Sequence, residues 1–215
     1  LTMPRRTILS ASERENLLAL PDNQDDLIRY YTLSESDLAI IRQHRGAANQ
    51  LGFAVQLCYL RYPGVMLGAE EAPFPPLLHL VATQIKVRME SWGEYGQRDQ
   101  TRREHLVELQ TLFGFQPFTM RHYRPAVHSL DDLAWQTDKG IVLAGALIES
   151  LRRQSILLPT PNVLERICAE AITRANRRIY RTLTESLSDT HYQRLDNLLK
   201  RKPDSQSTWL AWLRQ

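Results

Sequence analysis

Four arginines, Arg174, Arg177, Arg178 and Arg181, stand at the spacing that gathers side chains on one face of an α-helix. At about 100° per residue they fall within an arc of about 100°. No acidic residue lies between Arg174 and Arg181. Guanidiniums one turn apart repel each other. A row of phosphates would remove that cost, because arginine binds phosphate bidentately and can also read guanine edges. The chemistry on offer is anion binding of the nucleic-acid kind. The same stripe could also serve as a solvated basic face, or pair with acids elsewhere, Glu170 being four residues before Arg174.

Four further groups carry similar chemistry. Arg98, Arg102 and Arg103 in "EYGQRDQTRREHL" surround an expected helix start, where free N–H groups and guanidiniums together attract anions. Their alternative partners are Glu94, Asp99 and Glu104. In "RGAANQLGFAVQLCYLRYPG", Arg45, Asn49, Gln50 and Arg61 are types that hold or read nucleic acid. The pair Ser34–Arg45 and Ala47–Arg61 is spaced like a helix-turn-helix, a spacing that ordinary helical hairpins share. Leu51, Val55, Leu57, Cys58 and Leu60 should pack this stretch, leaving its polar N-terminal end for DNA, and Gly52 should admit a neighbouring helix at close range. Arg5 and Arg6 beside Pro4 form a short basic arm of the kind that enters minor grooves, or a tail with no role. A basic run, Lys200-Arg201-Lys202, falls at an expected helix end, where cations suit the dipole in any case.

Other chemistries find no support. The histidines lack metal-type pairing, and there is neither a phosphate-cradling glycine loop nor a G-x-S-x-G elbow. Asp25-Asp26 and Asp131-Asp132 read as helix-start residues, not as paired acid–base carboxylates. Cys58 and Cys168 lie far apart on apolar faces and read as reduced core thiols.

The elements that must position these groups are all helical. Ser12-Glu13-Arg14-Glu15 and Thr101-Arg102-Arg103-Glu104 have capping-box spacing. Ser34 should cap the next helix, and a helix after Pro75-Pro76 should carry Leu78, Val81, Ile85, Met89 and Trp92 on one side. Gly114 should end a helix, Pro125 should start one through Leu133, and Asp138 should cap one through Leu151. Thr160 with Pro161 should open the longest helix, which pairs its arginine stripe with an apolar face of Leu164, Cys168, Ala171, Ile172, Ala175, Ile179 and Leu183. Helices from His191 to Arg201 and from Ser207 complete the chain. The expected fold is all-α, with two helical lobes and helix-turn-helix-like elements. The lobes are residues 3–118 and residues 125–215, divided at the Pro- and Gly-punctuated "FQPFTMRHYRP".

Composition agrees with a globular, cytoplasmic chain. Of 215 residues 43% are hydrophobic and 24% charged, enough for a core and too balanced for wholesale disorder. The longest apolar run, Ile141 to Ile148, is far short of a membrane span. Met3 is read as the native start, behind Leu1-Thr2. The small net charge of +3 hides an asymmetry: Arg152 to Gln215 holds 12 Lys+Arg against 6 Asp+Glu, whereas Leu1 to Leu151 holds 15 against 18. A basic C-terminal part joined to a slightly acidic remainder points to an anionic partner for the former.

Six stretches, in order, carry a family resemblance: "MPRRTILSASERENLLALP", "IIRQHRGAANQLGFAVQLCYLRYPG", "PFPPLLHLVATQI", "EYGQRDQTRREHLVELQTLFGFQPF", "TDKGIVLAGALIESLRRQSILLP" and "AITRANRRIYRTL". They resemble the N-terminal region of the Tn-three family transposases, in the branch carried by mercury- and tetracycline-resistance transposons. "LGFAVQLCYLRYPG" and "YGQRDQTRREHL" are its specific parts, and it covers essentially the whole chain. The resemblance implies a helical region, the beginning of a longer protein, that recognises a transposon's terminal inverted repeats on double-stranded DNA. It also implies that the Asp-Asp-Glu triad and its two magnesium ions lie in a C-terminal part absent from this sequence. The chain would then bind DNA, need no cofactor and cut nothing. Its other partners would be the rest of the transposase and a second copy in a full-length homodimer. The competing reading is a helical assembly module for self-association or for a regulatory protein, supported by the aromatic patch Trp209, Leu210, Trp212 and Leu213.

Overall fold

A computed structural model describes residues 7–68, 71–95, 99–203 and 207–214. The chain divides into two compact units, Leu1–Ala171 and Ile172–Gln215. Among the described residues all regular structure is helical, with two isolated β-bridges, Gln116 to Ile156 and Arg201 to Thr208. The all-α expectation holds.

The first unit opens with α1 (Ala11–Asn16), α2 (Gln24–Tyr31) and α3 (Glu35–Ile41), followed by α4 (Ala47–Arg61) and α5 (Pro75–Ile85). A 3₁₀ turn (Met89–Glu94) and α6 (Asp99–Phe113) complete its first part. α4 is the axis, packed against α2, α3, α5, α6 and the 3₁₀ turn. Its sequence is apolar around the full circumference from Leu51 to Leu60, and every residue of that stretch is buried. A helix without a polar face has to be interior. Each fully buried Leu, Val or Phe contributes about 1.5–3 kcal/mol, so this one helix supplies much of the core. Its one polar member, Gln56, donates from Nε2 to Leu67 O at 3.3 Å.

α7 (Met120–His128), α8 (Asp131–Gln136), α9 (Gly140–Arg153) and the start of α10 (Pro161–Thr184) follow. They bury Tyr123, Val127, Leu130, Leu143, Leu147, Leu151, Leu164, Ile167 and Cys168. Backbone bonds stitch the connectors: Gln116 N–H donates to Ser155 O at 2.9 Å, Leu157 N–H to Gln116 O at 2.8 Å, and Leu158 N–H to Gly64 O at 2.7 Å. Glu165 on α10 accepts from the Ile8 N–H at 3.0 Å and from Arg14 Nη2 at 2.6 Å. The chain's first described residues are thereby fixed to α10.

Several boundaries differ from the sequence expectation, each for a local reason. α1 is capped by Ser10 with Glu13, not by Ser12, because Ser10 reaches the N3 amide while Glu13 returns to the cap. α5 stops at Ile85: Lys86 adopts a left-handed conformation at φ 58° and closes the helix, so Met89 and Trp92 fall in the 3₁₀ turn. α6 starts at Asp99, which places Thr101 inside the helix. α7 starts at Met120, where Thr119 N–H donates to His122 Nδ1 at 3.0 Å. Pro125 therefore sits inside α7, and the helix that should have run on to Leu133 breaks before α8. Lys139, not Asp138, is the N-cap of α9. Gly52 meets an aromatic ring in place of a helix backbone: a Cβ there would overlap Tyr95. Tyr95 in turn hydrogen-bonds His105 Nδ1 at 3.2 Å, and burial, reinforced by nearby His44, pushes the His105 imidazole down to about 4.

The second unit holds the last half of α10, then α11 (Asp189–Leu199) and α12 (Trp209–Leu213). Among its described residues only Ile172 and Ala175 are buried. α11 and α12 pack on each other, and Lys202 Nζ lies 4.4 Å from the Trp212 ring centroid.

Filling the Tyr95 contact separates packing from helix propensity. Gly52→Ala should lower the unfolding free energy by about 1–3 kcal/mol through overpacking. Gly145→Ala, on α9 where a Cβ meets nothing within 4 Å, should raise it by roughly 0.5–1 kcal/mol. Urea titrations of both variants followed by circular dichroism check this pair.

Candidate nucleic-acid interface

α10 runs through the division between the two units. Its first half is core: Leu164, Ile167, Cys168 and Ala171 are fully buried. The apolar stripe then fades, with Ile172 and Ala175 buried, Ile179 half-buried and Leu183 64% exposed. Leu183 was expected on the packed face and is not, because no described residue beyond Ala175 is buried. Arg174, Arg177, Arg178 and Arg181 are all exposed along this second half. Acids bracket the stripe at its ends. Glu170 accepts from the Tyr123 hydroxyl at 2.9 Å, and Glu185 lies 3.5 Å from Arg181 Nε in an exposed i,i+4 pair. Such a pair contributes little in water, so Arg181 can exchange it for a phosphate.

The other candidates fall in different surroundings. Arg5, Arg6 and Arg98 lie outside the described residues. Arg102 is buried: its Nη2 donates to Gly68 O at 3.0 Å, and its guanidinium sits 5.3 Å from the Tyr95 ring and 5.8 Å from Trp92. Arg103, one position on, is exposed. Arg45 is exposed at the turn into α4, where Gly46 takes φ 84°. Asn49 and Gln50 are half-buried and turn their amide groups back onto that turn, donating to Arg45 O at 3.0 Å and His44 O at 2.9 Å. The body of α4 has no exposed face to lay in a groove, so of the second helix of the spaced pair only the N-terminal end is open to a partner, while Glu35, Ser36 and Ala39 of α3 are exposed.

Arg61 makes a two-pronged ion pair in the first unit. Its two terminal nitrogens donate to the Asp37 carboxylate at 2.8 and 2.7 Å, and its guanidinium lies 5.1 Å from the Phe113 ring. Asp37 also accepts from Ser34 N–H at 2.8 Å, in the capping box that starts α3. Burial on its own would raise this carboxyl. The Arg61 hydrogen bonds, the Ser34 backbone and hydroxyl, and the Arg61 charge outweigh burial and hold it at about 2. One guanidinium thus joins the end of α4 to the start of α3.

Neighbours of the arginine stripe were not singled out from sequence. Thr173, Tyr180, Thr182 and Thr184 are exposed on the shoulders of the same helix face. The helical wheel that found the arginines also contains them, but hydroxyl residues carry no charge signal.

With this geometry in place, comparison with known proteins supplies the family. The chain belongs to the family described as Domain of unknown function (DUF4158), matched across residues 8–171. The match ends at the residue where the first compact unit ends. Curated relatives extend further. The chain is 72% identical over 213 residues to the transposase for transposon Tn3926 of Escherichia coli and 70% identical to the transposase for transposon Tn21 of Escherichia coli. It is 56% identical to the transposase for transposon Tn501 of Pseudomonas aeruginosa. Each comparison covers 99% of this chain and 22% of the relative. The resemblance to Tn-three family transposases is thereby shown along the whole sequence.

The Asp37–Arg61 pair predicts a stability effect with a defined pH window. Arg61→Ala should cost about 2–4 kcal/mol at pH 7, because it leaves a buried carboxylate without its partner. Asp37 is held below its ordinary 3.8, so its contribution is complete above that value and is lost as pH falls towards 2. Acid titration of stability should show this loss in the parent chain and not in an Asp37→Asn, Arg61→Met double variant.

Proposed function

We propose that this chain is the part of a replicative transposase that recognises the terminal inverted repeats of its transposon on double-stranded DNA. The observation that carries the reading is the exposed stripe Arg174, Arg177, Arg178 and Arg181 on α10. Four like charges without an interleaved acid gain most from a polyanion. The relatives' printed names, transposases for transposons, support DNA as that polyanion. Arg45 at the start of α4 and Arg103 on α6 offer further exposed cations in the first unit. Two weak contact regions on one chain raise each other's effective concentration.

In this reading strand cleavage, with its magnesium ions, belongs to another part of the transposase, and the protein works in the cytoplasm on the nucleoid. The exposed apolar side chains of α11 and α12, among them Leu195, Leu199, Trp212 and Leu213, favour a second role as an assembly surface for the rest of the transposase or a second copy.

Fluorescence anisotropy of the chain on a duplex bearing the terminal repeat, against a shuffled duplex of equal length, tests the reading. Binding to the repeat should be about 10³-fold tighter and should weaken steeply with salt. Equal affinity for the two duplexes would contradict repeat recognition by this chain. Absence of binding at moderate salt, together with concentration-dependent dimerisation, would put assembly first.

A further inference from the structure

The second half of α10 has the dimensions and side-chain order of a groove-filling helix. Arg174 and Arg181, seven residues apart, are separated by about 10 Å along the axis at about 1.5 Å per residue. On the wheel these two arginines follow one line down the middle of the exposed face. Arg177 and Arg178 stand about 50° to either side of it. Beyond them come Thr173 and Thr184 on one shoulder and Thr182 on the other, all exposed. The face therefore runs from a central guanidinium line, through flanking guanidiniums, to flanking hydroxyls and methyls.

An α-helix with its side chains is about 10–12 Å across. The minor groove, at about 6 Å, excludes such a body, and the major groove, at about 12 Å, admits it. A helix resting across the outside of the backbone would use charge alone. Here the shoulders carry threonines, whose methyls suit thymine, the Thr184 hydroxyl being turned back onto Tyr180 O at 2.9 Å.

We propose that residues 173–184 of α10 dock in the major groove of duplex DNA. Arg174 and Arg181 face base edges, while Arg177 and Arg178 hold the phosphates on either wall. This docking rests on the DNA-recognition reading and deepens it by assigning the groove and dividing the arginines into readers and anchors. It gives different consequences to side chains of the same type.

The test uses the same repeat duplex with every guanine and adenine replaced by its 7-deaza analogue, which removes the N7 acceptors of the major groove. Affinity should fall about tenfold or more, while a saturating minor-groove ligand of the distamycin class should leave binding unchanged. Arg174→Ala and Arg181→Ala should erase most of the preference for repeat over shuffled duplex. Arg177→Ala and Arg178→Ala should weaken both duplexes alike. All four positions are exposed, and circular dichroism of each variant should match the parent. Displacement by distamycin with indifference to 7-deaza bases would overturn the groove assignment and leave repeat recognition standing. Equal binding of the parent chain to unmodified repeat and shuffled duplexes would overturn both.

Discussion

The burial of α4 on all sides governs the first unit. Ten consecutive residues, Leu51 to Leu60, have no contact with solvent worth the name, so neighbours have to close around the helix from every direction. α2, α3, α5, α6 and the 3₁₀ turn do so, and Gly52 sets how near Tyr95 can come. The constraint also decides what the polar residues of this segment can do. Arg61 at its end closes onto Asp37, and Asn49 and Gln50 at its start secure their own turn. A helix so enclosed can offer a partner only its first turn.

α10 meets the opposite condition in its second half. The helix is seeded in the core by Leu164, Ile167, Cys168 and Ala171, which fixes its start firmly. After Ala175 burial ends, while the helix continues to Thr184 with charge on one face and fading hydrophobicity on the other. Isolated helical turns are marginal in water, and the like charges of the stripe weaken these further. A polyanion would reverse both effects at once. The family match stops at residue 171, where this transition begins, and the similarity to transposases continues through it.

The parts legible in the sequence were those written in local chemistry. Ser34 before Asp37, Thr160 before Pro161 and Gly114 at φ 70° act as caps and stops because each does so through its own few neighbours. The arginine arc on α10 followed from helix geometry alone. What stayed hidden depends on residues far apart in the chain. Nothing near Arg61 reveals that Asp37 will face it, and nothing near Arg102 reveals that Trp92, Tyr95 and the Gly68 carbonyl will enclose it. Lys86 ends α5 in a conformation usually left to glycine or asparagine, so composition gave no sign of that break. The boundary expected between residues 118 and 125 rested on Pro and Gly punctuation. The compactness that divides the chain at Ala171 and Ile172, inside a helix, is a different property, set by packing.

On the proposed reading, the second half of α10 is where this chain meets DNA. Hydrogen–deuterium exchange of the chain, alone and with the repeat duplex, tests it most directly. Amides from Thr173 to Thr184 should exchange rapidly in the free chain and become strongly protected on the duplex, while Leu51 to Leu60 stay slow in both states. Protection appearing only elsewhere, with the α10 amides unchanged on a bound duplex, would contradict the account.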